Sequence, residues 1–161
     1  MGQGRQHHYE VTVRWDGAKG GTRNYRAYIR EHVIEIAGKA TLRASADAAF
    51  RGDAALHNPE DLLVASLSAC HMLWYLHLCA ENGVEVLYYE DAAQGTMLEQ
   101  PGEGRFTEVV MKPRVTISAS SDEATALAQH ARAHQECFVA NSVNFPVRHE
   151  PVIVHAADTG D

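Results

Sequence analysis

Cys70 lies in the middle of the most apolar stretch of the chain, Asn58–Gly83, and its thiol is the side chain best suited to do chemistry there. A thiol attacks other atoms as its anion, and burial in apolar surroundings disfavours that anion. Cys70 would therefore be an inert small hydrophobe, as most buried cysteines are, unless a cation stood beside it. Lys and Arg are absent from Gly52 through Gly104, so the cation has to come from elsewhere in the chain.

An arginine from the N-terminal third would suit this role. A guanidinium keeps its charge when buried, and its fork can bridge a thiolate and a carboxylate. The arginines of this region are Arg14, Arg23, Arg26, Arg30, Arg43 and Arg51. Glu60, ten residues before Cys70, could hold such an arginine in place. The simpler interpretation of Glu60 is a first-turn charge that complements the helix dipole.

The stretch around Cys70 is predicted to be one long central helix. Asn58 is a good N-cap, Pro59 suits the first helical position, and Gly83 is a natural end. A helix that is apolar on every side must be wrapped by other elements. Its length suggests a membrane span, but it contains His71 and His77 and has no flanking Lys or Arg, so we expect no membrane association.

The rest of the chain predicts strands before and after this helix. Alternating or β-rich patterns occur at Tyr9–Trp15, Asn24–Ile29, His32–Ile36, Val84–Tyr89, Gln94–Leu98, Phe106–Ser118 and Pro146–His155. A glycine-rich turn is expected at Asp16–Gly21 and another turn at Glu99–Arg105, and Pro113 should bend its strand or confine it to an edge.

A second helix is predicted to begin at Ser120, which forms a capping box with Glu123, and to reach Cys137. The apolar positions expected to face inward are Ala124, Leu127, Ala128 and Ala131. The order of elements predicts an α+β fold in which an antiparallel sheet packs on two helices.

Composition limits the classes of function. The 161 residues are expected to form a single domain, with flexible tails at 1–8 and 156–161. A net charge of −7 argues against nucleic-acid binding. The first residues lack a signal-peptide pattern, and three cysteines without one indicate a reducing cytoplasm.

A metal-binding protein is one alternative. Its ligands would come from Cys70, His71, His77, Cys79, His134 and Cys137. His134 and Cys137 are close enough in sequence to share an ion, but seven residues of helix separate Cys70 from His77 by roughly 10 Å. Zinc–ligand bonds are only about 2.0–2.3 Å long, so that pair cannot chelate one ion within an intact helix.

Three segments together resemble the OsmC/organic hydroperoxide resistance family of thiol peroxidases: NPEDLL (Asn58–Leu63), SACH (Ser68–His71) and HQECFVANSV (His134–Val143). The order of elements also matches across most of the chain. The resemblance implies an intertwined homodimer with active sites at the subunit interface. His71, where the family usually has an aromatic or small residue, and the extra thiol Cys79 are departures that suggest a divergent branch.

The resemblance also implies roles for individual residues. Cys70 would be the peroxidatic cysteine, Cys137 the resolving cysteine, and Glu60 the carboxylate that orients the activating arginine. Arg51 fits the position of that arginine best, with Arg26 and Arg23 as alternatives. Without the resemblance, Cys137 is as readily a core residue at a helix end, Cys79 a structural thiol, and His71 and His77 core or interface histidines.

The implied activity is reduction of organic hydroperoxides to alcohols through a cysteine sulfenic acid and an intramolecular disulfide. An external dithiol, for example one of the lipoyl type, would recycle the disulfide, and no cofactor or metal is called for. The apolar residues near Cys70 favour an organic hydroperoxide over hydrogen peroxide. A redox sensor or a carrier of an apolar ligand on the same scaffold is the remaining alternative.

Overall fold

The computed structural model describes residues 4–157, which group into two units, one ending at Leu62 and the other beginning at Leu63. The strands are β1 (Thr12–Arg14), β2 (His32–Glu35), β3 (Leu42–Ala44), β4 (Val86–Asp91), β5 (Gln94–Gln100), β6 (Glu103–Met111), β7 (Pro113–Ile117), β8 (Val147–His149) and β9 (Val152–His155). The helices are α1 (Pro59–Glu81) and α2 (Glu123–Glu136), and two short 3₁₀ helices cover Ala48–Phe50 and Ala140–Ser142. The predicted α+β class is confirmed. The predicted tail residues 1–3 and 158–161 lie outside the described part of the chain.

The first unit contains an antiparallel sheet in the order β1-β2-β3. β1 is shorter than the alternating pattern of Tyr9–Trp15 predicts, because only Thr12–Arg14 pair with β2. An ion pair of 2.8 Å between Arg14 and Glu35 joins the two strands at their exposed face.

The strand predicted at Asn24–Ile29 is wrong, because this segment forms a turn. The side chain of Asn24 accepts a hydrogen bond from the Arg26 amide at 2.9 Å, and its carbonyl accepts from the amide of Tyr28 at 3.1 Å. Asparagine competes in this way with sheet pairing, and local turn chemistry outweighs the alternating pattern.

The boundaries of α1 follow the predicted signals. The Asp61 amide donates to Asn58 Oδ1 at 2.7 Å, and the Asn58 amide returns a bond to Asp61 at 3.4 Å, which makes a reciprocal cap. At the other end Gly83 adopts a φ of +72°, and the Val84 amide donates to the carbonyl of Cys79 at 2.9 Å. This is the bonding pattern of a Schellman motif, which a left-handed glycine permits.

The prediction that α1 is wrapped on every side is wrong for the single chain. Its buried residues are Leu67, His71, Tyr75, Leu78 and Cys79. A second face remains open and carries the stripe Ser66, Ala69, Leu73, His77 and Ala80. Leu73 is 63% exposed, which is a large apolar exposure for the middle of a helix. Within residues 4–157, α1 is the one helix whose length and composition would also suit a membrane span.

The second unit contains two three-stranded sheets, in the orders β4-β7-β9 and β5-β6-β8. The pairs β4/β7 and β5/β6 are antiparallel, whereas β6/β8 and β7/β9 are parallel. The single final strand predicted at Pro146–His155 is therefore two short strands, each of which joins a different sheet.

The single strand predicted at Phe106–Ser118 also divides between the two sheets. Pro113 is the first residue of β7, which is the central strand of its sheet and not an edge. A proline is tolerated at the start of a strand because its missing N–H falls outside the ladder. The amide of Lys112, at the break, donates to Asp91 at 2.6 Å.

The predicted inward face of α2 is wrong. Ala124, Leu127, Ala128 and Ala131 are exposed, and the buried residues are Ala126, Gln129, His130 and Ala133. The helix begins after Asp122, not Ser120: the Asp122 carboxylate accepts from the Thr125 amide and hydroxyl, each at 2.7 Å. The alanines obscure the pattern, because alanine is a good helix former on either face.

Replacing Asp122 by alanine should lower the free energy of unfolding by about 1 kcal/mol, since the first-turn amide of Thr125 loses its acceptor. Urea unfolding followed by circular dichroism measures this. The matched control is Ser120→Ala, which should change stability by less than about 0.5 kcal/mol. A larger loss for Ser120→Ala than for Asp122→Ala would contradict this assignment of the cap.

Candidate active site

The thiol of Cys70 lies close enough to that of Cys137 to raise the pKa of Cys137. Cys70 lies partly exposed in the middle of α1, and Cys137 is the residue at which α2 ends in an extended conformation (φ −68°, ψ 107°). The end of the second helix thus brings a thiol against the first, although 67 residues separate the two in sequence. All three cysteines of the chain are free thiols in this structure.

The environment of Cys137 differs from that of Cys70. Cys137 is 1% exposed. Burial raises the pKa of the Cys137 thiol to about 11, and the neighbouring Cys70 thiol adds to this effect. The Ala140 amide, which donates to the Cys137 sulfur at 3.4 Å, acts in the opposite direction. A small molecule therefore reaches Cys70 more readily, while Cys137 is a protonated neighbour. Two neighbouring thiols can form a disulfide when the chain allows the sulfurs to meet.

Aromatic side chains stand next to the thiol pair on the same two segments. Trp74 lies one turn after Cys70, and Phe138 follows Cys137. Their rings meet edge to face with centroids 5.5 Å apart, and Phe138 is 69% exposed. The surroundings of the thiols are therefore apolar on at least one side.

Glu60 faces a cavity of about 570 Å³ in the first unit. The cavity is lined by Trp15, Thr22, Tyr25, Tyr28, Arg30, His32, Ser45, Ala46, Asp47, Phe50, Pro59 and Glu60. Four of these side chains are aromatic rings other than histidine. Glu60 Oε2 is buried and finds no hydrogen-bond donor among the described residues. Burying such an atom without a partner is costly, so it is suited to receive a donor.

Two arginines border this cavity. Arg30 lines it, its guanidinium donates to the carbonyls of Tyr28 and of Tyr25, the latter at 2.7 Å, and it lies 3.6 Å from the centre of the Tyr28 ring. Arg51 is exposed, adopts a left-handed φ of 66°, and lies 5.9 Å from the centre of the Tyr25 ring. Arg23 and Arg26 are exposed. Sequence reasoning did not single out Arg30, because the turn that brings it to the cavity was assigned as a strand.

Sequence reasoning also missed a cluster of four histidines in the second unit, two of them buried. We call it the imidazole column: His71, His130, His134 and His149, with Tyr75 stacked at one end. Its members come from α1, α2 and β8, and they are spread over 79 residues of sequence. No local pattern connects them, so no signal short of the fold could have grouped them.

The remaining candidates have simpler surroundings. Cys79 is buried, and burial raises the pKa of its thiol, while the neighbouring Tyr75 hydroxyl lowers it. His77, expected in a core or interface, lies on the open face of α1 and pairs with Glu81 at 3.4 Å. Between residues 4 and 157, no group of three or more His, Cys, Asp or Glu side chains is arranged to hold a metal ion.

Comparisons with known proteins identify one family and several solved structures of similar fold. The family model described as OsmC-like protein matches residues 52–151. No curated protein matches the sequence significantly.

Among solved structures, the OsmC-like protein of unknown function from Vibrio cholerae is 30% identical, with a TM-score of 0.84 over 91% of this chain and 100% of that one. An organic hydroperoxide resistance protein from Elizabethkingia anophelis is 14% identical, with a TM-score of 0.68 over 96% of this chain and 100% of that one. The organic hydroperoxide resistance protein OhrB of Bacillus subtilis is 20% identical, with a TM-score of 0.60 over 91% and 98% of the two chains. The chain therefore belongs to the OsmC-like protein family.

Proposed function

We propose that this protein is a thiol peroxidase that reduces organic hydroperoxides to alcohols. The observation that carries the proposal is the proximity of a partly exposed thiol, Cys70, to a buried one, Cys137. A peroxide-related redox role agrees with family membership, and two proteins of the same fold are organic hydroperoxide resistance proteins. A cytoplasmic location suits three free cysteines.

The reaction begins when the Cys70 thiolate attacks the outer oxygen of the hydroperoxide. The O–O bond breaks, the alkoxide leaves and takes a proton to become the alcohol, and Cys70 becomes a sulfenic acid. Cys137 then attacks this sulfur. Its proton and the sulfenic hydroxyl leave as water, and a disulfide forms. An external dithiol reduces the disulfide through two exchanges and closes the cycle.

Activation of Cys70 requires a cation, and we assign this role to Arg30, which Glu60 would orient in the assembled site. Both side chains line the same cavity, and Glu60 Oε2 lacks a donor among residues 4–157. The guanidinium would stabilise the thiolate and the charge that develops on the leaving oxygen. Arg51, which lies over the neighbouring Tyr25, is the competing candidate.

One chain cannot bring Glu60 and Cys70 to the same guanidinium. Ten residues of a helix advance by about 15 Å and turn the side chains to different faces, whereas hydrogen bonds span about 3 Å. We therefore assign the cavity of one subunit to the thiol pair of its partner. The open apolar stripe on α1, with Leu73 63% exposed, supports a homodimer that covers it.

Steady-state turnover tests the proposed function. The purified protein, supplied with dihydrolipoamide, should reduce cumene hydroperoxide through many cycles and with higher kcat/KM than hydrogen peroxide, because exposed Phe138 directly follows Cys137 in the chain and offers apolar surface. A single oxidation without further turnover would indicate a redox sensor instead. Binding of the hydroperoxide with no consumption would indicate a carrier of apolar ligands. Either outcome would contradict the proposed peroxidase activity.

A further inference from the structure

The imidazole column has no part in the chemistry of the thiols, yet it joins the elements that carry them. The ring of Tyr75 stacks on His130 with centroids 3.9 Å apart, and His130 stacks on His71 at 5.3 Å. His149 follows at 5.4 Å from His71, and His134 lies 5.5 Å from His149. The column therefore joins side chains from α1, α2 and β8.

The column is connected to little else that is polar. His71 Nε2 and His130 Nδ1 lie 3.0 Å apart and share one hydrogen. Three further ring nitrogens are buried and have no partner in the described part of the chain: His71 Nδ1, His130 Nε2 and His134 Nδ1.

The titratable groups that face the column are its own members and, around Tyr75, Cys79 from α1 and Tyr89 from β4, whose ring centroid lies 5.8 Å from that of Tyr75. The ion pairs found between residues 4 and 157 involve none of the four histidines. No carboxylate therefore compensates a positive charge placed in the column.

These surroundings keep the two buried rings, His71 and His130, neutral. Burial, followed by the neighbouring His149, lowers the pKa of His71 to about 4. Burial, followed by the neighbouring His71, lowers the pKa of His130 to about 3. The two residues are 0% and 1% exposed. A proton on either ring would have to enter a site that offers it no counter-charge.

The position of the column gives it a consequence for the thiols. His71 directly follows Cys70, and His134 precedes Cys137 by three residues. We infer that the imidazole column is a positioning device that holds the end of α2 on α1, so that Cys137 meets Cys70, and that acid releases it. The inference rests on the proposed function only for the role of the disulfide in the reaction cycle.

The direction of the pH effect follows from proton linkage. When α2 is released, His71 and His130 regain the ordinary histidine pKa of about 6.5, so the released state binds more protons between about pH 6.5 and 4. Falling pH therefore favours release. With two such rings, the released population rises by up to about a hundredfold for each pH unit lost in that window. Above pH 6.5 both states are neutral, and pH has no effect through these groups.

A thiol reagent unrelated to peroxides reads out the positioning directly. In a Cys79→Ala background, one equivalent of 4,4′-dithiodipyridine first forms a mixed disulfide on Cys70 and releases one thiopyridone. Attack by Cys137 then closes the disulfide and releases the second, so the reagent takes up two electrons and the two thiol protons. The rate of the second release measures closure whether or not the protein reduces peroxides, so failure of the peroxidase proposal leaves this test intact.

The matched variant is His71→Gln with His130→Asn, because the two amides can keep the hydrogen bond of the ring nitrogens without titrating. In this variant closure should slow about tenfold per pH unit, as expected from loss of the attacking thiolate alone. In the protein with the unaltered column, the closure rate should show the same pH dependence above pH 6.5. At pH 4.5 it should be at least about tenfold lower than this dependence gives. His77→Gln, on the open face of α1, should behave like the unaltered column.

Closure rates with the same pH dependence in the unaltered protein and in the double variant down to pH 4 would overturn the inference. So would loss of far-ultraviolet ellipticity at the same pH, which would indicate global unfolding rather than release of α2. Should the double variant fail to fold, His71→Gln alone removes one of the two rings whose titration favours release. This substitution should reduce the extra loss of closure rate at low pH. An unchanged loss would equally overturn the inference.

Discussion

Replacing Cys70 by serine should lower kcat/KM for an organic hydroperoxide by at least about a thousandfold, because a hydroxyl cannot supply the anionic nucleophile near neutral pH. The residue is the more accessible member of the thiol pair, so its loss removes the atom that attacks the peroxide. Turnover with cumene hydroperoxide and dihydrolipoamide measures the effect. The matched control is Cys79→Ser, on the same helix but away from the pair, which should retain activity.

The second thiol gives a different result. Cys137→Ser should complete one oxidation and stop, leaving a sulfenic acid on Cys70 that dimedone traps, since the resolving sulfur is gone. In the unaltered protein the disulfide should form before dimedone reacts. Undiminished steady-state turnover in Cys70→Ser would contradict the assignment of the nucleophile. Equal dimedone labelling with and without Cys137 would contradict its role in resolution.

Local signals were enough to predict some elements and not others. The ends of α1 were predictable because Asn58, Pro59 and Gly83 act on neighbouring amides and carbonyls within one turn. The buried face of α2 was not, because it is chosen by contacts with distant elements. His130 is buried there against Tyr75, whereas Leu127, the most hydrophobic residue of the predicted face, is 47% exposed.

The candidate site divides in the same way. Cys70, Cys137 and Glu60 were identified from short segments that resemble a family, so distance in sequence did not matter. Arg30 could not be identified, because it reaches the cavity through a turn whose asparagine outcompetes sheet pairing. The imidazole column depends on a parallel pairing of β8 with β6 that sequence periodicity does not specify.

A heterodimer of Glu60→Gln with Cys70→Ser should regain about half of the activity of the unaltered dimer, although each variant alone is nearly inactive. Glu60 and Cys70 lie about 15 Å apart along one helix, and the proposed site combines the cavity of one subunit with the thiols of the other. In such a heterodimer one of the two sites keeps both groups, and the other loses both. Co-expression with two different tags, followed by two successive affinity steps, isolates this species.

The reciprocal pairing provides the control that separates the two architectures. An unaltered subunit paired with a Glu60→Gln, Cys70→Ser subunit loses one group from each shared site, so it should be nearly inactive. If each subunit supplied its own site, this pairing would keep half of the activity and the first heterodimer would have none. The same design decides between the arginines: Arg30→Met should complement Cys70→Ser as Glu60→Gln does. If Arg30→Met is active by itself, and Arg51→Met is inactive alone but recovers activity in a heterodimer with Cys70→Ser, the activating charge belongs to Arg51.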